Sequence, residues 1–518
     1  MPLLTRRRLL TGFASTLAVG PFIGCASQPA GIKSDPFTLG VASGDPDSHS
    51  VVLWTRLAPA PLQPDGGMPP ITVPVNWEVA TDDAMRQVVR RGTAEARPEE
   101  GHSIHVVADG LEAGRPYWYR FTTQQAQSRI GRTRTLPAPG TKPARFRLAV
   151  AGCQRIEQGY FTGWGDIARS DIDAVFHYGD YIYEYKLNPA QISKRIGRDV
   201  PSEVLPLLSN LSQYRMRYAL YKLDPDLAAA HAAHPFITSF DDHEISNDWG
   251  GDFNGSHVMS REAFLRLRAA AFQAFYENSP MRPEQRPHGS AVKAYRSLDV
   301  GSLVRIASLD TRQFRSPPAC GKPATQHCDQ RYGAGRSMIG AEQEQWLKSL
   351  FARGDVPWTL LGNQVMMMQF RHRDQKLDIV DTDKWDGAAA ARRRLMQAAQ
   401  DYKLSGLVTV TGDIHRSFAG NLKVDFDDDK AVPVGAEFVA TSMSSVGDGS
   451  PEQDSGARFL AANPHMRYYD GRRGYVVCDF NERRCEAIYR GIDVVSKPNA
   501  PVTTIASFTV DVKCPGIA

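Results

Sequence analysis

Ala174-Val175-Phe176-His177-Tyr178-Gly179-Asp180-Tyr181-Ile182-Tyr183 is the stretch on which the fold turns. A short, continuously apolar run ends in Gly-Asp, with a Tyr three residues further on. Unbroken apolarity marks a strand buried on both faces, as in a parallel sheet covered by helices. The same grammar recurs on both sides, where 147–150, 236–238, 304–307, 358–361 and 407–410 read as buried strands. Between them 262–276, 341–352 and 388–402 carry apolar residues at helical spacing. Strands alternating with helices define an α/β domain, here spanning residues 145–518.

Toward the N-terminus the pattern changes to short alternations separated by turn residues. Val51-Val52-Leu53-Trp54, Val75-Asn76-Trp77-Glu78-Val79, His105-Val106-Val107 and Tyr117-Trp118-Tyr119-Arg120-Phe121 have the length and spacing of an immunoglobulin- or fibronectin-like β-sandwich over residues 36–140. Leu136-Pro137-Ala138-Pro139-Gly140-Thr141-Lys142-Pro143 breaks regular structure and reads as the link to the α/β domain. Residues 1–31 read as an address. Arg6-Arg7-Arg8 precedes a modest apolar run too short for a comfortable membrane span, as in a signal for the twin-arginine export machinery. Phe22-Ile23-Gly24-Cys25 is similar to a lipoprotein processing site, so membrane attachment depends on lipidation of Cys25 and the alternative is a soluble periplasmic or secreted product.

Composition narrows the function classes. Hydrophobic residues make up 42% and charged residues 23%, which excludes disorder and collagen-like repeats. The formal charge of +4 falls to +1 (4 − 3) without Arg6, Arg7 and Arg8, giving no support for nucleic-acid binding. Seven cysteines are too few for a disulfide scaffold. Cys320 and Cys328 flank a short polar loop and form one candidate pair; Cys478 and Cys485 flank the turn 481–484 and form another, across a hairpin. Cys514 is left over and Cys153 stands apart.

The chemistry lies at the tips of the buried strands. In order they end in Gly152-Cys153-Gln154, Gly179-Asp180-Tyr181-Ile182-Tyr183, Asp241-Asp242-His243-Glu244, Asp310-Thr311-Arg312, Gly362-Asn363-Gln364 and Gly412-Asp413-Ile414-His415. Ligands bind at the carboxyl ends of strands in open α/β sheets, so these tips are expected to converge. One Asp after one strand is a turn residue; six polar tips in succession are hard to explain by packing. Together they offer carboxylates, imidazoles, an amide, a thiol and a phenol. Hard oxygen donors suit a di- or trivalent cation, and thiolate with phenolate favours ferric iron.

Gly179-Asp180-x-x-Tyr183 resembles the metal-binding segment of purple acid phosphatases. Asp242-His243-Glu244 stands where metallophosphoesterases carry Asn-His-Glu or Asn-His-Asp, and Gly412-Asp413-Ile414-His415 where they carry Gly-His-x-His. The resemblance then narrows to the alkaline phosphatase D family, through 39–46, 52–56, 151–154, 177–185, 240–244 and Trp385-Asp386-Gly387, in the family's order. That resemblance implies an N-terminal β-sandwich, a metallophosphoesterase-like α/β sandwich, ferric iron (Fe3+) with calcium (Ca2+), and hydrolysis of phosphate esters. It places Cys153, Asp180, Tyr183 and Asp413 on iron, with Asp180 bridging to calcium and Asp242 and Asn363 on the calcium side. His243 or His415 would protonate the leaving oxygen or hydrogen-bond the phosphate, or either could instead be a metal ligand, and Arg312 would either hold a phosphate oxygen or form a structural ion pair. Two departures stand out: Phe240 sits where the family often has Trp, and the C-terminal pattern closes on a strand. The insertions 188–208 and 280–293 are candidate pocket walls. A phospholipase D-like phosphodiesterase would share the metal centre; a non-catalytic phosphate-binding protein would be expected to have lost some of these ligands.

Overall fold

The computed structural model describes residue 32 and residues 34–518, apart from 125, 256–258, 322–323, 327, 372–378, 429 and 454–455. The export segment 1–31, with Arg6, Arg7 and Cys25, lies outside the described residues. No helix among the described residues is long and apolar enough to cross a membrane.

Two large sheets face each other. The nine-stranded sheet runs Val502–Asp511, Arg484–Ile492, Gly474–Phe480, Phe146–Ala151, Ala174–His177, Pro235–Thr238, Val41–Gly44, Val51–Arg56, Ser103–Ala108. Its centre, Phe146–Ala151 through Val41–Gly44, is parallel. The seven-stranded sheet runs Arg296–Val300, Val304–Ser308, Trp358–Gly362, Gly406–Thr411, Pro433–Val439, Ser417–Lys423, Met466–Asp470, also with a parallel centre.

Alternation of side chains along each strand assembles four layers. Leu148, Val150, Phe176 and Ile237 of the first sheet meet Ile306, Leu360, Val408 and Phe438 of the second in one buried core. The opposite faces, carrying Ala149, Val175 and Phe236 in one sheet and Ala307, Leu361 and Leu407 in the other, are covered by helices. Thr162–Arg169, Leu211–Lys222, Pro225–Ala233 and Arg261–Glu277 lie on the first; Gly340–Arg353 and Ala389–Asp401 lie on the second. The expected α/β class is the one observed.

The N-terminal β-sandwich is also present, with one feature its strand pattern does not announce. Val73–Ala80, Val88–Ala96, Pro116–Thr123 and Gly131–Arg134 form a separate sheet whose Val75, Val79, Tyr119 and Phe121 pack on Val41, Val51, Leu53 and Val106. Those partners belong to strands that continue the nine-stranded sheet, since Val41–Gly44 pairs with Pro235–Thr238. One half of the sandwich is therefore an extension of the catalytic sheet.

Cys320 and Cys328 are disulfide-bonded. Cys478 and Cys485 are free and buried, which corrects the expected second bridge. The hairpin sets Cys478 opposite Ala487 and Cys485 opposite Phe480, so the two thiols are diagonal neighbours rather than a directly facing pair. Insertion 188–208 stands beside the site: Leu208 N–H donates to Glu184 O, and Arg217 bridges Tyr185 O with Val204 O. Insertion 280–293 clamps the sandwich instead, through Arg282 on Asp45 O and Asp47 and through Arg286 on Glu100.

Candidate metal centre

The strand tips converge because their backbones turn sharply. Cys153, Asp180, Asp413 and His415 all have left-handed φ, at 50°, 56°, 67° and 56°. Non-glycine residues adopt this conformation at a cost, and clusters of them gather at functional sites. Neighbouring glycines allow the close approach: a Cβ on Gly179 would lie 2.5 Å from Asp241 N, and one on Gly412 would lie 2.1 Å from the Tyr178 ring. The tips are laced together by Cys153 N–H on Gly179 O and Gln154 N–H on Asp180 O.

Asp180 is the centre of one half. Its Oδ2 accepts from the Tyr183 hydroxyl at 2.8 Å and from the Cys153 thiol at 3.3 Å. His415 Nε2 lies 3.3 Å from the Tyr183 oxygen, and the Ser445 hydroxyl lies 2.7 Å from it. In the other half, Asp242 Oδ2 accepts from Asp248 N–H, and His243 Nδ1 is held at 2.8 Å by Glu184, which itself accepts Asn247 N–H. Glu244 accepts the backbone N–H groups of Asp180, Tyr181 and Asp241, fixing the loops rather than facing the site. Among the described residues, three groups have ligand atoms within 4.8 Å of one another: Cys153, Asp180 and His415; Asp180, Asp242 and His243; Asp241, Asp242 and Asp413.

The electrostatics are those of a site built around cations. Burial, with Asp242, Asp241 and Glu244 adding to it against His243, pushes the Asp180 carboxyl well above its ordinary value. Burial also raises Asp241 despite Arg312. Cys153 and Tyr183 are pushed up by burial and by Asp180. Burial opposes charge on Asp242 and His243 too, but each is the other's largest charged partner: His243 and Arg312 hold Asp242 low, and Asp242, Glu184 and Asp180 hold His243 high. His415 is pulled down to about 3 by burial and by Arg473. Asp241 Oδ2 and Asp242 Oδ1 are buried with no hydrogen-bond partner among the described residues. Buried carboxylates with orphaned oxygens, beside a thiol and a phenol that only a metal would deprotonate, fit a bound cation.

The structure brings together Cys153, Asp180, Tyr183, Asp242, His243, Asp413 and His415. It does not bring Asn363 and Arg312 to the same use. Asn363 is fully buried; its Nδ2 donates to Val365 O, and its Oδ1 accepts Gln364 N–H and the Trp385 indole, the wiring of a strand-end turn. Arg312 is fully buried, with Nε on Asp241 at 2.6 Å and its fork on Asp383 at 2.8 and 3.0 Å. Nη1 also reaches Trp249 O and Nη2 lies 3.8 Å from Asp242. Its donors are committed to carboxylates and backbone, so the structural ion pair is the role the geometry gives it. Asp413 stands against Lys384 Nζ, while His415, not Asp413, shares a ligand group with Cys153 and Asp180.

Sequence reading missed Glu184, Asp383, Lys384 and Ser445. Glu184 follows Tyr183 directly, and a carboxylate one residue past the motif is the signal that could have found it. Lys384 precedes Trp385-Asp386-Gly387, which was legible only as a family segment. Ser445 lies in a polar loop that nothing distinguishes. Arg155 occupies the rim, its guanidinium 4.9 Å from the Tyr185 ring centre and 5.7 Å from that of Tyr183, with Nε on Glu157 and a side chain 26% exposed.

Fold and site together define an α/β sandwich hydrolase with a metal-capable centre at the strand tips. Residues 148–489 match the family described as PhoD-like phosphatase, and 24–137 match its N-terminal domain. The chain belongs to the PhoD-like phosphatase family. It is 40% identical, over 501 residues, to alkaline phosphatase D of Bacillus subtilis (strain 168), covering 96% of this chain and 85% of that one. A solved structure of PhoD superposes with a TM-score of 0.89 at 40% identity, covering 95% of this chain and 93% of the other. This chain is a phosphoric ester hydrolase.

Proposed function

We propose that this hydrolase is exported and cleaves phosphate esters at a centre holding ferric iron and calcium. Asp180 supports this reading most directly, because it alone belongs both to the group with the thiol and to the group with Asp242 and His243. Cys153, Asp180, Tyr183 and His415 would hold the harder, trivalent ion, and Asp180 with Asp242 the divalent one. Bound there, the ions supply Lewis acidity and neutralise phosphate charge.

The chain's own residues do the rest. Glu184 holds Nδ1 of His243, which leaves Nε2 to hand a proton to the leaving oxygen. Arg155, over the Tyr185 ring and partly exposed, is placed to hold a phosphate oxygen, the role that Arg312 is too committed to fill. Delivery to the periplasm or beyond would rest on Arg6-Arg7 read by the twin-arginine machinery, with a membrane anchor only on lipidation of Cys25.

Metal analysis of natively exported protein, paired with turnover of a nitrophenyl phosphomonoester and the matching diester, tests the reading. The expected result is iron and calcium bound, ester hydrolysis, and a visible phenolate-to-iron band that Tyr183→Phe removes. An iron-free, colourless and fully active protein would take Cys153 and Tyr183 out of the centre.

A further inference from the structure

One residue at the edge of the centre holds a backbone conformation that its side chain disfavours. Val446 has a left-handed φ of 74°, and among the described non-glycine residues with positive φ it alone is β-branched. Gly447 N–H donates to Ser444 O, and Ser445 has no positive φ, so residues 444–447 form a type II turn with Val446 at the position that calls for glycine. Glycine would hold this turn without strain. Nor does burial offset the strain, since Val446 is 51% exposed.

The turn stands at the mouth of the site. Ser445 Oγ lies 2.7 Å from the Tyr183 hydroxyl oxygen and 2.8 Å from Cys153 O. Arg155 is tied to the same turn at both ends of its backbone: its N–H donates to Ser445 Oγ, and its carbonyl accepts the Ser444 hydroxyl. Val446 N–H donates to Gln158 Oε1 at 2.6 Å. These bonds keep an exposed isopropyl group next to the residues that seat Arg155. A strained, apolar, solvent-facing residue beside the reacting groups has no structural reason to be a valine, and a contact made to substrate supplies one.

We infer that Val446 is a specificity-determining residue, its side chain forming an apolar wall for the organic group that stays on phosphorus when a phosphodiester is cleaved. His243 attends the leaving oxygen, whereas Val446 stands with Arg155, which holds an oxygen that is retained. The ester group that Val446 meets is therefore the retained one. A methyl group is too short to cover the isopropyl group, and a chain of several carbons is long enough. This rests on the proposed reading of the strand tips as the place of ester cleavage.

The test compares two diesters with the same nitrophenyl leaving group, one retaining methyl and the other hexyl, on metal-loaded wild type, Val446→Gly and Val446→Thr. Wild type is expected to prefer the hexyl ester. Val446→Gly should cut that preference in kcat/KM by about tenfold, mainly through KM, the low end of what one missing apolar contact is worth. Val446→Thr, which keeps the shape and replaces a methyl by a hydroxyl, should lose part of it. Tm and metal content are read beside the kinetics, and neither should fall in Val446→Gly, because glycine relaxes the turn. A fall in either assigns the valine to the turn and overturns the inference. An unchanged hexyl-to-methyl ratio overturns it too, as does a wild type that cleaves nitrophenyl monoesters and neither diester; in each case the proposed hydrolase stands. A metal-loaded wild type that cleaves no phosphate ester overturns both.

Discussion

Two lysines, both buried, mark the difference between the two halves of this molecule's centre. Lys384 lies among carboxylates, which keep it charged. Lys222, behind the Asp180 loop, lies 4.2 Å from the Trp54 ring centre and 5.2 Å from that of Tyr181, and burial pulls it down to about 7. The Asp413 side carries its own cations, Lys384, Arg312 and Arg315, while the Asp180 side faces a thiol, a phenol and an imidazole. Side-chain cations thus face Asp413 and Asp383, whereas the groups around Asp180 are ones that could themselves ligate a cation. That division separates residues that set metal content from residues that set shape.

The sharpest way to break the comparison is Asp180→Asn, which keeps the shape and removes the shared charge. Metal content should collapse with turnover, by more than the ~10–100-fold typical of a residue that only backs a ligand; metal analysis beside kcat reads both. His243→Ala should spare the metal and slow an alkyl phosphate by on the order of 10² to 10⁴, the usual worth of a positioned proton donor. A nitrophenyl ester, whose leaving group needs no proton, should suffer much less; equal slowing with loss of metal would make His243 a ligand.

Arg155→Ala should act on binding alone, raising KM and the inhibition constant for inorganic phosphate by about tenfold, the worth of one charge-assisted hydrogen bond. Arg155→Lys should restore part of it, and an unchanged KM would confine Arg155 to its pair with Glu157. The smallest effect concerns Lys222. Its folded pKa lies below the unfolded value of 10.5, so the unfolded chain binds more protons between pH ~7 and ~10.5 and stability should rise with pH across that window. Thermal unfolding of Lys222→Met should show that rise flattened; an unchanged slope would mean Lys222 is charged throughout.

Much of this was legible from the chain. Apolar runs with polar tips marked the strands and most of the residues that converge, because a strand buried on both faces leaves its signature locally; the order of those strands in two facing sheets was not legible. The pairings were not legible. Asp383 reaches Arg312 across 71 residues, and nothing near either shows that the guanidinium is spent there. Asn363 has the composition of a ligand and the hydrogen bonds of a turn. Cys478 and Cys485 flank a turn as a bridged pair would, but register, which a thiol count cannot reveal, sets them diagonally. The sandwich strands alternate as any would; their continuation into the neighbouring sheet depends on an edge at Pro235–Thr238 that the N-terminal residues do not encode.

The nine-stranded sheet also orders events in time. The strand that leads into Cys153 has Ala174–His177 on one flank and Gly474–Phe480 on the other, while Pro235–Thr238 is flanked by Val41–Gly44, far earlier in the chain. A chain emerging from the ribosome therefore carries the strand that leads into Cys153 with one side unpaired until Gly474–Phe480 has been made. Pairings this distant are slow to form and leave strand edges open meanwhile. That late-synthesised hairpin covers this edge, so the strand leading into Cys153 is flanked on both sides only once it has been made.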